Sequence, residues 1–88
     1  RDIALVIDET IPAQALLDTI HKAKNNSLKS AHIFDVYQGE HLQAGKKSIA
    51  IQLVFENKEK TLEADEVERM VQRLVQALTD AHQAVLRT

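Results

Sequence analysis

An 88-residue chain with 44% hydrophobic and 27% charged residues has room for one hydrophobic core, and neither a disordered nor a membrane composition fits it. Its formal charge of −2, from 11 Lys and Arg against 13 Asp and Glu, excludes a protein that grips nucleic acid mainly through many phosphate contacts. Any such contact must be local. The absence of cysteine removes disulfides and thiolate metal sites and is compatible with a reducing cytosol. The chain starts at Arg1 and enters a strand-like run within two positions with no basic leader, so a piece of a longer protein is expected.

In chain order, Ile3 to Ile7 is a short apolar run ended by Asp8, Glu9 and Thr10, and Pro12 suits the first turn of a helix. Leu16, Leu17, Ile20 and Ala23 then recur at helical spacing, and Asn25-Asn26-Ser27 supplies the stop. Leu28 to Tyr37 is rich in β-branched and aromatic residues. The polar stretch after it holds Gly39 and Gly45, both able to take positive φ in a hairpin connection. Lys47 to Glu56 alternates, with Ile49, Ile51, Leu53 and Phe55 on one side and Ser48, Ala50, Gln52 and Val54 on the other. Glu63, Asp65 and Glu66 place negative charge where a helix N-terminus favours it, and Val67, Met70, Val71, Leu74, Leu78 and Ala81 form the stripe of that helix. Ala84 to Arg87 is left as a closing strand. The order predicts an α+β ferredoxin-like βαββαβ sandwich, with a four-stranded antiparallel sheet and both helices on one face.

Side-chain parity then divides the sheet. Ile3, Leu5, Ile7, Phe34, Val36, Ile49, Ile51, Leu53, Phe55 and Leu86 are predicted to face the helices. The uncovered side receives Asp2, Ala4, Val6, Ile33, Asp35, Tyr37, Ser48, Ala50, Gln52, Val85 and Arg87. A face of low bulk with one aromatic, two carboxylates and an arginine suits something flat, or a partner domain.

Catalytic readings fare poorly against this pattern. His21, His32, His41 and His82 fall on different elements with no pair at ligand spacing, and His32 reads as a packed core-side residue. Asp2 and Asp35 have no pocket in which to do acid–base work, and no glycine-rich loop opens a helix. Tyr37 is a candidate for stacking on a base and equally a tyrosine covering a sheet edge. Lys46 and Lys47 form the only basic doublet.

Phe34-Asp35-Val36-Tyr37-Gln38-Gly39, then Gly45-Lys46-Lys47-Ser48, then Thr61-Leu62, flanked by Arg1-Asp2-Ile3 and Leu86-Arg87, resembles a family pattern. It is that of the ferredoxin-fold anticodon-binding domain ending the β chain of bacterial phenylalanyl-tRNA synthetase. The resemblance spans essentially the whole chain, residues 1–88. It implies a non-catalytic domain that binds the anticodon stem-loop of phenylalanine tRNA, in a cytoplasmic α2β2 enzyme whose α subunit performs ATP-dependent aminoacylation. ATP and magnesium would belong to that parent enzyme, with no cofactor in this domain and a monomeric state for the isolated piece. Carried over by position, Arg1, Asp2, Asp35, Tyr37, Lys46, Lys47, Ser48 and Arg87 form the RNA-side surface, while Phe34 fills the core and Gly39 permits the turn.

Two alternatives share the fold. One is a structural or regulatory module that binds a protein partner or small ligand. The other is a small hydrolase of the acylphosphatase type, which needs an anion-cradling loop with an arginine where this chain has Asp8-Glu9-Thr10.

Overall fold

In the computed structural model, which describes residues 1–87, the apolar alternation of the first segment becomes β1 (Asp2–Asp8), with Ile3, Leu5 and Ile7 buried. Asp8 ends the strand by accepting the backbone N–H of Thr10 at 2.9 Å and its hydroxyl at 2.6 Å. That turn delivers Pro12 as the N-cap of α1 (Ala13–Ala23), a position where its missing N–H costs nothing. Leu16 and Ile20 face inward, and the helix stops at Lys24.

β2 (Leu28–Tyr37) and β3 (Lys46–Phe55) follow as a long antiparallel pair, then α2 (Ala64–His82) and the two-residue β4 (Val85–Leu86). The strand order β2-β3-β1-β4 is the ferredoxin-like arrangement expected. The central strands β1 and β3 send Ile3, Leu5, Ile7, Ile49, Ile51 and Leu53 into one core with Leu16, Ile20, Val71, Leu74 and Leu78 of the helices. Both helices therefore cover the same face, and they are tied to each other where Thr19 Oγ1 meets His82 Nε2 at 2.7 Å. α2 closes at Gln83, which takes a left-handed φ of 55° while its N–H reaches Thr79 O at 2.9 Å. Among the described residues no helix is long and apolar enough to cross a membrane. Thr88, the last residue of the expected domain, lies outside the described residues.

The edge strand β2 departs from simple parity. Its register against β3 shifts between Leu28 and Ser30 and again between Ile33 and Asp35. Upstream of the second shift, Ala31 pairs with Leu53 and Ile33 with Ile51, so Ile33 joins the core side rather than the open one. His32, expected to be packed, stands exposed opposite Gln52. Phe34 is the extra residue of the bulge and is 55% exposed, not core. Beyond it Val36 pairs with Ile49 on the helix side, as expected, but is exposed on this edge strand. Leu86 likewise pairs with Leu5 on the core side yet is 46% exposed, because β4 is a short outer edge; the buried residue there is Ala84.

Candidate nucleic-acid interface

The uncovered sheet face resolves into cross-strand rows. Tyr37, Ser48, Val6 and Val85 lie in one row from edge to edge, each paired with the next. The adjacent row holds Asp35, Ala50 and Ala4, and ends at Arg87, whose N–H donates to Ala4 O at 2.8 Å. A third holds His32, Gln52 and Asp2. The middle row thus has a carboxylate at one edge, a guanidinium at the other and two methyl side chains between them. Three strand spacings of roughly 4.8 Å make this floor about 14 Å wide.

Above that floor the edges reach toward each other. Arg87 Cζ lies 5.2 Å from the centroid of the Tyr37 ring, a cation–π distance, so a side chain just beyond β4 meets one from β2 across both central strands. Ser48 sits in the row between Tyr37 and Val6 and is only 4% exposed, the one buried polar residue among those described. Asp35, next to the exposed Phe34, offers acceptors only when ionised, whereas Arg87 offers donors only. The face therefore presents aromatic surface, acceptor and donor in two adjacent rows.

The predicted site residues separate accordingly. Asp2, Asp35, Tyr37, Ser48 and Arg87 share the open face, and Lys46 lies at its rim opposite Asp8. Lys47 does not join them: adjacent residues of a strand point to opposite faces, and it pairs with Ile7 on the helix side. Arg1 also turns away, its guanidinium paired with Glu68 of α2. Of the four predicted cations, Lys46 and Arg87 reach the face, beside Asp2, Asp8 and Asp35. The Thr10 hydroxyl and N–H, with Lys46 and Lys47 nearby, hold the Asp8 carboxyl below its ordinary value of 3.8. The β1–α1 turn consequently displays a carboxylate rather than anion-binding donors, which does not suit an acyl phosphate.

Parity reasoning missed Phe34 as an exposed aromatic of this region. The signal was present in the adjacent apolar pair Ile33-Phe34, which interrupts the alternation of β2. Gly39 does begin a turn, its carbonyl accepting the Leu42 N–H at 3.1 Å, but without positive φ; Gly45, at φ 84°, is the glycine that uses its conformational freedom. A depression of about 440 Å³ lined by Asn26, Ser27, Lys29, Glu56, Asn57, Lys58 and Glu59 belongs to the loops where β2 starts and β3 ends, away from Tyr37. Among the described residues no three His, Cys, Asp or Glu side chains gather to hold a metal ion.

A family model described as a ferredoxin-fold anticodon binding domain matches residues 1–87. The chain belongs to this family. The β subunits of phenylalanine–tRNA ligase from Bacillus licheniformis and Bacillus subtilis are 48% and 46% identical to it over 87 residues. The corresponding subunit of Staphylococcus aureus is 51% identical over the same length. Each alignment covers 99% of this chain but 11% of the relative, so the anticodon-binding domain described here corresponds to a small part of those proteins. Within the anticodon-binding domain, the helices, core and Gly45 turn serve to hold one sheet face open.

Proposed function

We propose that this chain is the tRNA-binding domain of a phenylalanine–tRNA ligase β subunit and that it receives the anticodon loop of phenylalanine tRNA on its open sheet face. The observation that carries the reading is the Tyr37–Ser48 row beside the Asp35–Ala50–Ala4–Arg87 row. It is a narrow patch with a π-face for stacking, a carboxylate for base N–H donors and a guanidinium for base or phosphate oxygens. The domain binds and does not catalyse; ATP-dependent aminoacylation, with its magnesium, belongs to the α subunit of a cytoplasmic α2β2 assembly. With two of the four predicted cations on the face, affinity comes mostly from bases, and the isolated domain binds weakly as a monomer.

The test is a titration of the 88-residue chain with the anticodon stem-loop of phenylalanine tRNA, followed by amide resonances. The expected perturbations centre on Asp35, Tyr37, Ser48 and Arg87. Changes confined to α1 and α2 would reject the reading.

A further inference from the structure

Gly39 has no conformational reason to be glycine, since it lies in an exposed loop without the positive φ that Gly45 adopts. A side chain there would push the Tyr37 ring aside. A Cβ built on Gly39 falls 2.5 Å from Tyr37 Cζ and 3.1 Å from Cε1, with the phenol oxygen closer still. The ring thus rests directly against the loop backbone, while the guanidinium of Arg87 lies over it at 5.2 Å. A ring at the end of an edge strand would otherwise sweep freely through solvent; held in this way it is only half exposed.

We infer that Gly39 is a positioning residue for the RNA face. By leaving the volume of one methyl group empty, it lets the Tyr37 ring lie back on the loop, fixed beneath Arg87 in the orientation in which it stacks on a base. The inference rests on the proposed function for its consequence, but the placement of the ring can be measured without RNA.

Tyr37 is the sole tyrosine and the chain has no tryptophan, so intrinsic emission and the tyrosine ring resonances report this one side chain. Gly39→Ala is expected to shift the Tyr37 ring resonances and to raise the quenching of its emission by acrylamide, with an unchanged far-UV circular dichroism spectrum. It is also expected to weaken stem-loop binding at least about twofold, because a displaced ring loses part of its stacking. In a Tyr37→Ala background the same substitution should leave RNA affinity unchanged and lower thermal stability no further, since the atoms it collides with are gone and alanine only restricts the unfolded chain. Should Gly39→Ala fail to fold, recovery of folding in the Tyr37→Ala background supports the inference equally well. Unchanged ring signals, unchanged RNA affinity beside a displaced ring, or a Gly39→Ala penalty that persists without the tyrosine would each overturn it. Failure of the unsubstituted chain to bind the stem-loop would instead remove the functional reading and leave the ring measurements to decide the geometry.

Discussion

Replacing Tyr37 with alanine removes the phenol ring from the Ser48 row of the face and leaves every lysine and arginine in place. Stacking of a base on an aromatic side chain is worth about 1–3 kcal/mol. In the free domain, however, the ring already carries Arg87 at 5.2 Å, and an exposed cation–π contact of about 0.5–1 kcal/mol is given up if the base takes that side of the ring. The net loss from Tyr37→Ala is then about 0–2.5 kcal/mol, at most roughly 60-fold in dissociation constant at about 1.4 kcal/mol per decade. In an Arg87→Ala background there is no guanidinium to displace, so the same change costs the full stack, roughly 5- to 150-fold. Tyr37→Phe keeps the π-face and stays close to the parent chain. The assay is fluorescence anisotropy of a labelled anticodon stem-loop over a series of KCl concentrations. The dependence on salt should have the same slope for Tyr37→Ala as for the parent, because no phosphate contact is lost. Stacking is refuted if phenylalanine is as damaging as alanine, or if the slope flattens with the ring removed.

Two further outcomes follow from the fold. Leu53, fully buried, should cost about 2.7–5 kcal/mol on truncation to alanine, measured by urea unfolding, whereas Phe34→Ala at the exposed bulge should cost clearly less despite the larger side chain. At the start of α2, Glu66 is hydrogen-bonded by Lys60 at 2.8 Å and by the Glu63 N–H, which hold its carboxyl below the ordinary value of 4.5. A depressed folded pKa stabilises above the unfolded value and is lost as pH falls through the folded one. Thermal midpoints of the parent chain should therefore fall more steeply below pH 4.5 than those of Glu66→Gln, and parallel curves would remove this source of acid sensitivity.

The parts of the molecule most legible in the sequence are those where one physical requirement dominates. β1 and β3 are central strands with one face in the core, and their alternation of Ile and Leu could mean little else. The stripe of α2 was equally clear, although Ala81, its last predicted member, is exposed in the final turn. Edge positions were less legible. Leu86 and Val36 have the parity of core residues, but parity fixes only the side of the sheet, and burial also requires a helix overhead. Asp35 and Tyr37 take the side parity predicts because they lie downstream of the bulge, where the pairing of Val36 with Ile49 restores the phase, and Ser48 does so because β3 runs unbroken against β1. Ile33 and His32 lie upstream of that point and take the sides opposite to those parity predicts, while Phe34, the extra residue itself, is exposed rather than core. The contact of Gly39 with the Tyr37 ring is illegible for a different reason, since contact between a loop backbone and a ring leaves no periodic trace.

The bulge at Phe34 also explains how one strand serves both core and site. In an unbroken strand, Ile33, Asp35 and Tyr37 would share a face. Turning Ile33 inward would then drag a carboxylate and the phenol beneath the helices, and turning Asp35 and Tyr37 outward would expose Ile33. One extra residue at position 34 removes the conflict, letting Ile33 meet Ile51 in the core while Asp35 and Tyr37 meet Ala50 and Ser48 on the open face. Deleting one residue from a strand ordinarily inverts everything beyond it. Deleting Phe34 should instead leave both halves on their present faces, joined in a regular ladder, so that Ile33 still opposes Ile51 and Tyr37 still opposes Ser48. Cross-strand nuclear Overhauser contacts in the deletion variant would display both pairings. Loss of the Tyr37–Ser48 pairing, or a chain that no longer folds, would mean that the bulge does more than reconcile two phases of the same strand.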